Sequence, residues 1–111
     1  MNPLIIYVDV DDTLVRSAGS KRIPMTPVID QVKALHVEGA ELYCWSSGGA
    51  EYAKDSAIEL GIEECFTGFL PKPHALLDDQ KVEDWKYLTY LHPNSAGSKT
   101  IEELNPMKRQ S

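Results

Sequence analysis

Apolar and polar positions fall into blocks along the chain, and the period changes from block to block. Leu4-Ile5-Ile6-Tyr7-Val8 is a continuous apolar run, rich in β-branched residues. Such a run predicts a strand buried on both faces, the usual centre of a parallel sheet. The polar stretch from Arg16 to Arg22, with Gly19 inside it, predicts a loop or small flap. Thr26-Pro27 then opens a helix, with Thr26 as N-cap and Pro27 at the first helical position. Val28, Val32 and Leu35 recur at helical spacing, and Gly39 supplies a stop. Leu42 to Trp45 predicts a second strand, followed by a helix from about Ala50 to Leu60 that carries Ala53, Ala57 and Leu60 on one face. Further strands are expected at Cys65–Leu70 (weak), Ala75–Leu77 and Tyr87–Leu91. One helical turn is expected around Ile101 to Leu104, with a frayed tail beyond Pro106.

Strand and helix alternating in this way predict an α/β fold with a mostly parallel, five-stranded sheet. The chain has 111 residues, which suits one domain over 1–111, with a core at about 4–91 and a C-terminal extension at 92–111. The formal net charge is -6, from 17 acidic and 11 basic residues. That balance argues against general nucleic-acid binding, which needs a basic footprint. Two cysteines, Cys44 and Cys65, are too few for a disulfide framework or a zinc site, and are read as reduced and buried. The first apolar run is short and is followed at once by acidic residues, so neither a signal peptide nor a membrane span is expected. The expected location is the cytoplasm.

Chemistry gathers at the predicted strand ends. Asp9 and Asp11 follow the first strand, Ser46-Ser47 the second, and Asp78-Asp79 the fourth. Open parallel sheets bind ligands outside the carboxyl ends of their strands. Two close carboxylates suit a hard divalent cation, and they also suit a division of labour between nucleophile and general acid. Alone, Asp9, Asp11 and Asp12 would read as a polar turn. A second acidic pair at another strand end weighs against that. Ser46, Ser47, Gly48 and Gly49 precede a helix, where hydroxyls and backbone N–H groups bind anions, although an ordinary cap and turn would look the same. Lys72 stands between Pro71 and Pro73, which restrict the backbone and can aim its side chain. Arg16, Lys21 and Arg22 either hang over the site from the flap or are simply solvated.

On these residues the chain resembles the haloacid dehalogenase (HAD) superfamily. Asp9-Val10-Asp11-Asp12-Thr13-Leu14 is similar to the family's first motif, and is the most specific match. Ser46, or Ser47 if the register slips by one, is similar to the second motif, Lys72 to the third, and Asp78-Asp79 with Asp84 to the fourth. The resemblance spans about Leu4 to Leu91. It implies a Rossmann-like three-layer sandwich and a Mg2+-dependent phosphatase. Asp9 would be the nucleophile, forming an aspartyl-phosphate, and Asp11 the general acid/base. Ser46, Ser47 and Gly48 would bind the phosphoryl group, and Lys72 would offset charge between nucleophile and phosphate. Asp9, Asp11, Asp78 and Asp79 would hold the metal, Asp11 through its backbone carbonyl. Two departures stand out. Asp12 occupies a position where many members have Gly, and Lys72 lies closer to the fourth motif than in many members.

No cap domain fits between the motifs. The resemblance ties selection of small substrates to the cap, so an open site suits an exposed phosphate on a larger molecule or a cap supplied by a partner subunit; a small phosphorylated molecule stays open as substrate, as does a homo-oligomer. Three alternatives compete. A phospho-acceptor receiver domain should carry an acceptor Asp after a middle strand, where this chain has Ser46 and the Thr67 region. A dehalogenase would not need the acidic fourth motif. A catalytically weak, phospho-binding or regulatory relative would keep the same side chains without turnover.

Overall fold

The computed structural model describes residues 3–95 and 101–104, the latter without the side chains of Ile101 and Glu102. Three parallel strands form the main sheet: β1 (Ile5–Asp9), β4 (Glu41–Ser46) and β5 (Phe66–Pro71), in the order β1-β4-β5. Between β1 and β4 the chain makes an antiparallel hairpin, β2 (Val15–Ala18) and β3 (Lys21–Pro24), and then helix α1 (Thr26–Val37). Helix α2 (Ala50–Glu59) joins β4 to β5, and a short helix α3 (Ile101–Leu104) lies at the predicted turn. The fold is therefore α/β with a parallel sheet, as the alternation implied. No described helix is long and apolar enough to cross a membrane.

Both helices stop as their glycines predict. Gly39 and Gly61 have positive φ, and the N–H groups of Gly39 and Ala40 donate to the carbonyls of His36 and Leu35. The N–H groups of Gly61 and Ile62 donate in the same way to Ile58 and Ala57. This pairing is the Schellman motif, and in each case the residue after the glycine is buried in the core beside the helix end. At the other end of α1 the cap is Met25 rather than Thr26, with no side-chain capping bond. Thr26 is already helical, and Pro27 still falls in the first turn, where its missing N–H is tolerated.

Burial along β4 alternates strictly, with Leu42, Cys44 and Ser46 buried and the odd-numbered residues half-buried. Leu42 and Cys44 share one core with Val28, Ile29, Val32 and Leu35 of α1 and with Ala53 and Ala57 of α2. The opposite face carries Tyr7, Tyr43 and Trp45, whose rings meet at centroid distances of 5.3 Å and 5.0 Å around Tyr7. Ile5 and Tyr7 are exposed there. The first strand is thus an edge strand with one open face, not a centre strand buried on both. Among the described residues the α/β core has two layers, where a three-layer sandwich was expected.

Two further expectations fail for a shared reason. Ala75–Leu77 and Tyr87–Leu91 form no strands, so the sheet has three strands and not five. Their composition favours extended backbone, but strand propensity needs a partner and a face to pack on. Leu77 is 103% exposed, and Tyr87, Leu88 and Tyr90 are exposed as well. The weak third strand is by contrast a full one, paired along β4. Gly68 on it lets the Tyr43 ring pack close, since a Cβ there would lie 3.2 Å from that ring and push it aside by a few tenths of an ångström. The flap is the hairpin β2–β3, turned by two residues with Gly19 at φ 64 in first place. The frayed tail expected beyond Pro106 lies outside the described residues.

Candidate functional site

Beyond Asp9 the chain winds around one carbonyl. The N–H groups of Thr13, Leu14 and Val15 all donate to the Val10 oxygen, at 3.2, 2.8 and 3.2 Å. Leu14, fully buried, anchors this turn in the core. The tight winding sets Asp12 at φ 62, the only non-glycine residue with positive φ among those described. Asp tolerates this conformation better than most residues, but glycine adopts it freely. Asp12→Val is expected to lower stability by roughly 1–2 kcal/mol, since a β-branched side chain is strongly disfavoured there. Asp12→Gly should leave it nearly unchanged, and urea unfolding midpoints distinguish the two.

The turn delivers Thr13 back to Asp9, where its hydroxyl donates to Oδ2 at 3.3 Å. The other oxygen, Oδ1, lies 3.2 Å from Lys72 Nζ. Lys72 follows β5 directly, and its backbone N–H donates to the Ser46 carbonyl at 2.9 Å. It therefore closes the carboxyl edge of the sheet, with its ammonium 5.9 Å from the Trp45 ring. The two charged side chains are 35% and 28% exposed, so water screens the pair only in part.

Ser46 ends β4 as a buried residue, and its Oγ accepts the Gly48 N–H at 3.0 Å. Its carbonyl accepts the N–H of Gly49 as well as that of Lys72. Ser46 thus shapes the turn, while Ser47 and Gly48 are exposed on it. Gly49 has φ 108 and ψ 169, a conformation essentially limited to glycine, and opens α2 with no side-chain cap. Exposed N–H groups at such a helix start attract anions, opposed in part by Glu51 in the same turn.

Asp11 lies on the other side of Asp9's turn. The Tyr52 hydroxyl donates to Asp11 Oδ1 at 2.7 Å, and this bond, with burial and the carboxylate charge, raises the Tyr52 pKa. Arg22 of the hairpin donates to Tyr52 Oη at 3.2 Å, to Ser56 Oγ at 3.1 Å and to Glu59 Oε2 at 2.7 Å. Arg22 is therefore tied down rather than freely solvated. Sequence reasoning missed Tyr52 and Thr13 as neighbours of the acidic pair. The Thr of the first motif was the one available signal. Nothing in the sequence marks Tyr52.

The fourth-motif pair departs from expectation. Asp78 and Asp79 sit on an exposed segment, and Asp78 Oδ1 accepts the Gln80 N–H at 2.9 Å. Among the described residues no three or more His, Cys, Asp or Glu side chains come together to hold a metal. The four-residue set Asp9, Asp11, Asp78 and Asp79 is thus not assembled. With Ala75–Leu77 unpaired, no strand carries the acidic pair to the sheet edge. Three strand ends do converge, but the third member is Lys72, just past the end of β5.

Both cysteines are free and buried. Burial pushes the Cys44 thiol up to about 12, and the Asp9 charge adds to the effect. The unfolded thiol ionises near 9, so between pH 9 and 12 only the unfolded chain releases this proton. Stability is then present in full below pH 9 and lost above it, at a limit of about 1.4 kcal/mol per pH unit for this group. Denaturant unfolding between pH 8 and 10 should show the fall, and Cys44→Ala should reduce its slope, leaving the part due to Cys65, whose thiol burial also raises.

The chain is an α/β domain with Asp9, Thr13, Ser46 and Lys72 gathered at the carboxyl edge of a parallel sheet. Comparison with family models, curated proteins and solved structures gives no match.

Proposed function

We propose that this protein is a phosphoryl-transfer enzyme, a Mg2+-dependent phosphatase of the HAD type acting through Asp9. The observation that carries the reading is the Lys72–Asp9 contact, 3.2 Å across the carboxyl edge of the sheet. A carboxylate approaching a phosphate needs a cation beside it, and phosphoryl transfer asks chiefly for positioning and neutralised charge. Thr13 orients the second oxygen of the nucleophile, and the exposed Ser47 and the adjoining start of α2 would receive the phosphoryl oxygens, on a turn that Ser46 holds in shape. In the first step Asp9 forms a bond to phosphorus, and the bond to the leaving oxygen breaks as Asp11 protonates it. In the second, Asp11 takes a proton from water as water attacks the aspartyl-phosphate, releasing phosphate and regenerating the Asp9 carboxylate.

Asp9 and Asp11 are hard oxygen donors, and magnesium takes as few as one or two carboxylates, filling its shell with water and phosphate. The Asp9 carboxylate and the Asp11 backbone carbonyl would hold it. When bound, the ion supplies charge neutralisation between the carboxylate and the phosphate. The substrate is a phosphate ester presented to an uncapped edge, either a small molecule or an exposed phosphate on a larger one. Free, buried cysteines fit a reducing compartment such as the cytoplasm.

A second reading, phosphate binding without turnover, is favoured by one observation: Asp78 and Asp79 stand apart from the acidic pair. A metal-dependent screen of phosphorylated metabolites and phosphate-ended nucleic acids separates the two. Magnesium-dependent release of inorganic phosphate, with a hydroxylamine-labile phosphoryl group on Asp9, is expected. Binding of a phosphate ester with no release across the panel would favour the second reading.

A further inference from the structure

We propose that Tyr52 is a positioning residue that fixes the Asp11 carboxylate for proton transfer, itself held by Arg22 of the hairpin. The inference rests on the phosphoryl-transfer reading of the same site and adds to it the group that orients the acid/base.

Asp11 is an exposed residue, and an exposed carboxylate samples several rotamers. The Tyr52 hydroxyl binds only one of its oxygens, Oδ1, at 2.7 Å. That oxygen accepts a hydrogen bond whether or not Oδ2 carries a proton. Tyr52 therefore keeps its own proton and its place while Asp11 Oδ2 gives a proton to the leaving oxygen and later takes one from water.

Tyr52 is held from three sides. Its ring lies against Gly48, where a Cβ would come within 2.9 Å of Cδ2 and 3.1 Å of Cγ. The Arg22 guanidinium carbon sits 5.4 Å from the ring centroid, and Nη2 donates to the phenol oxygen. Arg22 is anchored in turn by Ser56 and Glu59 of α2. One ring thus links the phosphate-facing turn, the acid/base and the hairpin. A side chain with no role beyond packing would not need its hydroxyl aimed at Asp11.

The test uses two substrates of different leaving ability on the full chain with magnesium. An alkyl phosphate needs its leaving oxygen protonated, whereas 2,4-dinitrophenyl phosphate does not. Tyr52→Phe keeps the ring against Gly48 and removes only the hydroxyl. It is expected to lower kcat on the alkyl ester by about tenfold or more, part of the ~10²–10⁴ that general acid catalysis supplies. KM, the melting temperature and turnover of the dinitrophenyl ester should stay close to wild type. Arg22→Gln should give a smaller loss with the same substrate dependence, and it carries the test should Tyr52→Phe fold poorly. Equal losses on both esters, or none on either, would overturn the role of Tyr52 alone. A wild-type protein that hydrolyses neither ester overturns the phosphoryl-transfer reading, and the Tyr52 role with it.

Discussion

Asp9→Asn is expected to reduce magnesium-dependent phosphate release by at least ~10³-fold while leaving the protein folded. A thousandfold loss corresponds to about 4 kcal/mol of barrier, at 1.36 kcal/mol for each factor of ten. The loss follows from chemistry rather than shape. An amide is not a nucleophile toward phosphorus, and it cannot form the acyl-phosphate. It also leaves the Lys72 ammonium without its carboxylate 3.2 Å away. The structural consequence should be slight. Asn has the size of Asp, and its carbonyl can still accept the Thr13 hydroxyl. A partly exposed ion pair contributes about 0.2–1 kcal/mol, so the melting temperature should fall by a few degrees at most. Steady-state turnover, a phosphorylation-trapping assay and a thermal melt on the same preparation check all three parts. Activity within tenfold of wild type would remove Asp9 from the role of nucleophile.

Leu42→Ala is expected to have the largest effect on stability, roughly 2–5 kcal/mol. Leu42 lies on the central strand, is 0% exposed, and packs in the core that α1 and α2 share. Truncation removes transfer energy and leaves a cavity that a well-packed core closes only partly. Domains of this kind are stable by about 5–15 kcal/mol in total, so the loss is a large fraction of the whole. Tyr7→Ala on the neighbouring strand is the natural comparison. Tyr7 is 47% exposed on the open face, and its ring already meets water on one side. A smaller loss is expected there. Urea unfolding of both variants gives the ranking, and equal losses would contradict the two-sided character of the sheet.

The contrast between Leu42 and Tyr7 shows how far sequence alone reaches. Both sit in short apolar runs, and both runs read correctly as strands. A run of Leu-Ile-Ile-Tyr-Val carries no alternation, so it cannot say which face is buried or whether the strand is central. β1 is an edge strand because nothing pairs with its free side among the described residues. Gly68 is the reverse case. The neighbour that makes glycine suit this position of β5, the Tyr43 ring, lies on another strand, where the local sequence around Gly68 cannot show it.

By itself the sequence determined the two long helices and their stops, the strands of β1 and β4 with a weaker sign of β5, and the placing of Asp9, Asp11 and Ser46 at strand ends, while it also expected two strands that do not form. These depend on local period, backbone freedom at glycine and short-range caps, which act within a few residues. It also determined Lys72 as a candidate, though not its position at the end of β5. Only the tertiary structure decided which strand ends meet. It set Lys72 against Asp9, left Asp78 and Asp79 on an exposed segment, and brought Tyr52 and Arg22 to Asp11 from distant parts of the chain. Strand pairing and side-chain contacts of this kind depend on partners far apart in sequence, and no local pattern encodes which partner is found.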